Sequence, residues 1–387
     1  MKEFVYILPN VTGGVASVVS NLIRYTTHPE IHKKVILIGD AVHPCDVNFD
    51  GAEVIVEPSP RIWSENKIMF VKRIARHLTA ESIIISNDGY PEFMMVKILR
   101  LNNPIIAILH GDCSHYFNEC KRNSCLIDRM LCVSSYLQQK AIQQIGKEIK
   151  PIFIPFPTPE IKLLEAKSYE DSLNLVYSGR ITEAKGCEHF PALIDLLDNT
   201  GVDYVFHILG DGILLDSLIR GYANHPRIKI YGQLPNKDVL KILQKMHITV
   251  HLSKKEGLPV CLVESMKCGS VPVVFDLPTG IPDIIQDGIN GFRIEQGNLN
   301  GILNAIQKLY NNRHLLRKMS YAAISMANNM FNAWEETKKY ENLFLSSVCR
   351  GNKFSDRKNS LMQIFLNYLP LKIYYFIVSR FRLQNRI

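Results

Sequence analysis

Short aliphatic and β-branched runs recur along the chain, each closed by a Gly, Pro or polar turn and most followed by an amphipathic stretch. In the first half this pattern predicts strands at Phe4–Leu8, Val35–Gly39, Ile83–Ser86, Ile105–His110, Met130–Val133 and Ile152–Ile154. Helical spacing lies between several of them, near Val15–Tyr25, Ile68–Ala80, Phe93–Arg100 and Ser135–Ile145. In the second half, strands are expected at Leu173–Ser178, Tyr204–Gly210, Ile228–Tyr231, Ile248–Leu252 and Val271–Phe275, with helices at Asn300–Asn311 and Arg313–Met330. Such alternation argues for an α/β fold with parallel sheets, in which ligands sit at the carboxyl ends of strands.

Pro151, Pro155, Pro157 and Pro159, followed by a polar stretch to Asp171, read as an interdomain linker. The expected division is a first domain over 1–157, a linker over 158–171 and a second domain over 172–333. A returning helix over 334–350 and a basic, apolar tail over 351–387 complete it. A chain of 387 residues with 47% hydrophobic and 21% charged content suits two globular domains, each able to bury a core. MKEFVYILPN has no apolar h-region with a small-residue cleavage site, so a cytoplasmic protein is expected.

Composition narrows the chemistry. Nine cysteines without framework spacing point to reduced thiols. The densest group, Cys113, Cys120, Cys125 and Cys132, lacks the C-x2-C pairs of zinc sites, so no metal is expected there. Residues 351–387 hold seven Lys or Arg against one Asp, a net +6 of the chain's +8. Basicity belongs to the tail, and nucleic acid is not expected as a partner.

The densest chemistry lies in Ser253–Pro272, SKKEGLPVCLVESMKCGSVP. It follows a buried strand, carries Pro259 as a first-turn proline and stops at Gly269. Glu256 stands at the mouth of the turn and Glu264 inside the helix. Eight residues of helix span about 12 Å, wider than the roughly 5–10 Å of a glycosidase carboxylate pair. The spacing suits a ligand with hydroxyls at both ends and a diphosphate between them. Amides near Leu258, Pro259 and Val260 open the helix, where the dipole favours phosphate oxygens.

EGLPVCLVE resembles the E-x7-E motif of the family-4, GT-B-fold retaining glycosyltransferases, and GIPDIIQDGINGF resembles the segment that follows it in that family. SGRITEAKG, Ser178 to Gly186, is similar to the family's G-R-x4-K-G loop. The resemblance covers most of residues 1–348. It departs at IPFPTP, which lacks the usual Asn-Gly pair, at Met246-His247 and Leu252, and at Asp283, where the family usually has Glu.

The resemblance implies two Rossmann-like domains facing across a cleft. It also implies sugar transfer from a UDP- or GDP-sugar, with retention and without a covalent intermediate. Glu264 would hold the ribose, and Arg180 and Lys185 the diphosphate, since an Arg fork and a Lys point charge suit phosphate oxygens. Glu256 would hold the donor sugar. Ser178, Gly179, Gly210 and Gln233 would frame the nucleotide beside Leu258, Pro259 and Val260. Gly14, on the first Gly-rich turn, would lie beside the donor, and His110, at a strand end, near the donor sugar and acceptor. Asp112, His115 and Tyr116, on the loop after His110, are candidate acceptor contacts. With Arg and Lys on the diphosphate and no Asp-x-Asp motif, no cofactor or divalent metal is expected.

The tail segment LMQIFLNYLPLKIYYFIVS is broken by Pro370 and Lys372. A mid-span Lys costs about 2.5–3.5 kcal/mol on insertion scales, so lying on an anionic membrane surface is expected rather than crossing it. Packing on the protein's own surface is the other reading. A glycan or lipid-linked acceptor, as in lipopolysaccharide or capsule assembly, follows from tail and family together. Two other readings are a sugar-nucleotide epimerase of this architecture and a non-catalytic scaffold in polysaccharide assembly.

Overall fold

The computed structural model describes residues 2–40, 44–61, 63–87, 91–162, 167–347 and 367–374. The chain divides into two compact units, one of 1–132, 138–154 and 337–387, the other of 133–137 and 155–336.

The first unit is built on a parallel sheet of β1 (Glu3–Pro9), β2 (His32–Ile38), β3 (Glu53–Glu57), β4 (Ser82–Asn87), β5 (Ile105–Leu109), β6 (Arg129–Cys132) and β7 (Ile152–Phe153). Their order is β3-β2-β1-β4-β5-β6-β7. The central strands read as unbroken apolar runs because helices bury both faces, as parallel sheets require; Phe4 to Ile7, Ile83 to Ile85 and Ile105 to Leu109 are all buried. The last helix, Ala333–Leu345, serves this unit from Thr337 onward. Phe344 packs edge-on to Phe4, Glu341 accepts from the Thr27 N–H at 2.7 Å, and Tyr340 donates to Ile154 O at 3.2 Å.

The second unit holds β8 (Leu173–Ser178), β9 (Tyr204–Leu209), β10 (Ile228–Gly232), β11 (Ile248–His251), β12 (Val271–Asp276) and β13 (Phe292–Glu295), in the order β10-β9-β8-β11-β12-β13. All pairings are parallel. β8, β9 and β11, which lead into the turns at Gly179, Gly210 and Gly257, are interior strands, and β10, which ends at Gly232, is an edge strand; all being parallel, their following loops emerge along one end of the sheet. The helix Val260–Lys267 buries Leu262, Val263 and Met266 completely, each contributing up to about 1.5–3 kcal/mol as transfer from water.

Several expectations are corrected. Two edge strands, β3 and β13, are not predicted by the hydrophobic pattern. In β3, EVIVE leaves Val54 and Val56 turned outward, so its apolar residues mark no core. The stretch after His110 is not a loop but the helix Ser114–Arg122, whose apolar face is Tyr116, Phe117 and Cys120. Pro259 is the residue before the first helical turn rather than within it. The expected stop at Gly269 holds: its backbone is left-handed, at φ +79°, and its N–H caps Met266 O at 2.9 Å. Of the tail, residues 367–374 pack on the first unit, with Leu371 buried and its N–H donating to Glu65 O at 3.2 Å. The remainder of 351–387 lies outside the described residues. Among the described residues, no helix is long and apolar enough to cross a membrane.

Candidate functional site

The second unit gathers most of the expected residues at the carboxyl ends of β8, β9, β10 and β11. Two glycines make the loops fit. Gly210, at φ +132°, lies so close to Gly179 that a Cβ would stand 1.9 Å from the Gly179 carbonyl oxygen. Gly186, at φ +73°, lies against the end of β11, where a Cβ would meet Leu252 O at 1.8 Å. Beside it, Lys254 N–H donates to Ala184 O at 3.1 Å. These contacts press the Arg180–Gly186 loop onto the turn that carries Glu256. Gly186→Ala is therefore expected to cost about 2–5 kcal/mol through strain and overpacking. A urea midpoint matching wild type would show instead that the loop shifts freely.

The result is a compact ionic cluster. Lys185 Nζ donates to both oxygens of Glu256, at 2.6 and 2.7 Å. Ser253 Oγ donates to Glu256 Oε1 at 2.7 Å, and His251 Nε2 lies 3.0 Å from the same oxygen. Ser253 Oγ is also 3.0 Å from His251 Nε2. His251, Ser253 and Glu256 are all buried. Burial alone would raise the Glu256 carboxyl. The His251 hydrogen bond and charge, together with Lys185, outweigh it and hold Glu256 at about 2. Arg180 is different: its side chain is exposed, while its carbonyl accepts from Tyr177 Oη at 2.7 Å. One cation of the pair is thus engaged by a carboxylate and the other faces solvent.

Glu264 sits one helix-length away in a contrasting setting. It is buried, and Asn236 Nδ2 donates to its Oε1 at 3.0 Å. Burial dominates and raises the carboxyl to about 7, against smaller pulls from Asn236 and Lys267. Asn236 is the first residue of the helix Asn236–Leu243, three residues beyond Gln233. The same helix carries Lys267, whose Nζ donates to the carbonyls of Thr158 (2.7 Å), Pro159 (3.2 Å) and Phe331 (2.9 Å). Leu258 and Pro259 are buried and Val260 half-buried ahead of the helix, and Gly280 N–H fixes their turn by donating to Gly257 O at 2.7 Å. Asp283 accepts from the Ser135 N–H at 2.8 Å and from its hydroxyl.

In the first unit, Gly14 opens the helix Gly14–Arg24, and Gly13 before it has open space around it. His110 follows β5, with Nε2 2.9 Å from Asn87 Oδ1 at the end of the neighbouring strand. Burial lowers His110 to about 3, so the ring is neutral at physiological pH. Asp112 is ion-paired with Lys140, and His115 is exposed. Tyr116 is not available to an acceptor. It is 1% exposed, its Oη is 2.9 Å from Ser86 Oγ, and its ring stacks on Phe93. The helix starting at Ser114 turns that position inward.

His251, Asn236 and Asn87 were not expected from the sequence. His251 had a signal: it lies two residues before Ser253, so on a strand both side chains share one face. Among the described residues, no group of three or more His, Cys, Asp or Glu could hold a metal ion.

Residues 162–326 match the family model of glycosyl transferases group 1. An uncharacterized glycosyltransferase of Methanocaldococcus jannaschii is 24% identical over 79% of this chain and 87% of its own length. The lipopolysaccharide 1,6-galactosyltransferase of Escherichia coli K12 is 28% identical over 47% of this chain, which spans 52% of that protein. Among solved structures, a Staphylococcus aureus TarM mutant bound to UDP, fondaparinux and α-GlcNAc-glycerol matches 89% of this chain and 100% of its own. Its TM-score is 0.77 at 13% identity. Anabaena HepE in complex with UDP matches the same shares at TM-score 0.72 and 17% identity. The fold is that of these GT-B proteins, and the family match and relatives together support a glycosyltransferase.

Proposed function

We propose that the chain is a retaining glycosyltransferase that moves a sugar from a nucleotide-diphosphate sugar, UDP- or GDP-linked, to a glycan or lipid-linked acceptor of surface-polysaccharide assembly. The observation that carries this reading is the Lys185–Glu256–His251–Ser253 cluster, set on the turn that leads into the Glu264 helix, within the stretch that matches the family. Arg180 and Lys185 would take the diphosphate oxygens, the N–H groups of Leu258 and Val260 on either side of Pro259 would add to that site, and Glu264 would accept from the ribose hydroxyls. Ser178, Gly179, Gly210 and Gln233 would frame the nucleotide.

Charge builds on the leaving phosphate in the transition state. Fixed cations and a helix opening lower that barrier without reorganising when the bond breaks. Glu256, held by His251 and Ser253, would accept from the donor sugar. His110, neutral and oriented by Asn87, would donate or accept a hydrogen bond near the reacting sugar. A neutral ring far below its ordinary pKa is a poor acid–base catalyst, so His110 gives an epimerase little to work with. Solved relatives that hold UDP support a nucleotide donor; the base and sugar selected here are part of the proposal. So are transfer without divalent metal, and a cytoplasmic, membrane-peripheral setting through 351–387.

Arg180→Ala and Lys185→Ala are each expected to lower turnover about a hundredfold or more while the far-ultraviolet dichroism stays that of the wild type. Activity should persist in a chelator. Near-normal turnover in both variants would remove the pair from the diphosphate site.

A further inference from the structure

The first unit carries a surface that the transferase reading does not use. The tail segment 367–374 is pinned against the start of the helix Lys67–Ala75. Pro370 bridges to Asn66, Asn66 Nδ2 donates to Tyr368 O at 3.4 Å, and Leu371 is buried against the segment that supplies Glu65 O. Around this anchor the outward side chains are large and apolar: Trp63 is 71% exposed, Tyr368 63%, Met69 53% and Ile373 47%. Lone exposed apolar residues are ordinary; four around one anchor mark a contact surface.

Cations interleave with them. Lys372 Nζ lies 3.0 Å from the ring centroid of Trp63, and Lys67 Nζ lies 3.3 Å from that of Tyr374. Lys72 and Arg61 are exposed on the same segments. The carboxylates of those segments face inward. Glu65 is buried and paired with Arg73, and Glu57 is buried and paired with Arg73, Arg76 and His77. The outward face is therefore aromatic, apolar and positive, with its negative groups neutralised beneath it.

We propose that this composite face docks on an anionic lipid surface, with Trp63, Tyr368, Met69 and Ile373 entering the headgroup layer and Lys67, Lys72 and Lys372 meeting lipid phosphates. Tryptophan and tyrosine favour that layer because one end is apolar and the other polar. Each lysine near such a surface strengthens binding about fivefold. The docking element is a face of the first domain that the tail completes, not the tail as a separate anchor. The inference deepens the membrane-peripheral setting proposed above and is independent of sugar transfer, since a chain that docks but transfers no sugar leaves it standing.

The full chain contains two tryptophans, so Trp334→Phe leaves Trp63 as the sole reporter. With phosphatidylcholine vesicles containing roughly one-third phosphatidylglycerol, that protein should co-sediment and its emission should shift to the blue. Phosphatidylcholine alone should give neither, and raised salt should release the protein. Lys372→Glu, a change of two charge units, should weaken partitioning about thirtyfold, and Trp63→Ser should also weaken it. Absence of binding to the anionic vesicles would overturn the proposal, as would binding that neither substitution alters. Self-association that both substitutions abolish, with no vesicle binding, would overturn it too and assign the face to a second copy of the chain.

Discussion

Replacing Glu256 with glutamine is expected to tighten binding of a nucleoside diphosphate while turnover falls. Lys185 Nζ contacts both carboxylate oxygens of Glu256, at 2.6 and 2.7 Å, so a diphosphate must draw the ammonium away from a buried, fully formed partner. That competition is costly because both charges are largely out of water. Glutamine keeps an oxygen for Ser253 and His251 but removes the negative charge, releasing Lys185 and ending repulsion towards the phosphates.

Affinity for UDP or GDP should rise roughly tenfold, the worth of about one pKa unit of interaction. Transfer should slow about a hundredfold if, as proposed, this carboxylate holds the donor sugar. Calorimetric titration beside single-turnover transfer separates the two effects. Weaker nucleotide binding in Glu256→Gln would show that Lys185 does not divide its time between carboxylate and ligand. Loss of binding in Lys185→Ala tests the diphosphate assignment separately.

The second large effect is a pH dependence of nucleotide affinity set by Glu264. Its folded pKa is raised from 4.5 to about 7 by burial. Between those values the unfolded chain gives up the proton while the folded chain keeps it. The group therefore withdraws stability progressively as pH rises from 4.5, and the loss is complete above about 7. Ribose hydroxyls donate to the ionised form, so a bound nucleotide pulls the proton off. Affinity should climb up to about tenfold per unit as pH approaches 7 and then level. A terminal phosphate titrates in the same region, so Glu264→Gln is the reference. That variant should bind more weakly and lose part of the slope. Identical slopes in the two proteins would take the ribose role from Glu264.

Much of this was legible because it is encoded locally. β8 runs Leu173–Ser178 in both reading and structure, since Leu173, Leu175, Val176 and Tyr177 are buried apolar residues ended by Gly179. Glu256, Glu264, Arg180 and Lys185 are legible because they stand in the contiguous stretches EGLPVCLVE and SGRITEAKG that carry the resemblance. What was not legible depends on neighbours distant in sequence. Asn236 reaches Glu264 across 28 residues and Asn87 reaches His110 across 23; such pairs follow from strand order, which no local pattern states.

Tyr116 shows the opposite fault. Proximity to His110 suggested a shared loop, while the spacing of Tyr116, Phe117 and Cys120, one helix face, gave the better indication. β3 is not legible in the sequence because its valines are exposed and report no core.

Lys267 has a wider consequence. Its ammonium, lowered to about 8 by burial, grips carbonyls from Thr158 and Pro159, where the chain enters the second domain, and from Phe331, where it leaves. Thr158 N–H also donates to Phe331 O at 3.3 Å. Entrance and exit are stapled together on the helix that carries Glu264. Apart from the short stretch 133–137, the second unit is thus a cassette with a single doorway. Recombination that exchanges 155–336 between related chains must match that doorway and the Ser135–Asp283 contact, and little else inside the unit, which lets it evolve as a replaceable part.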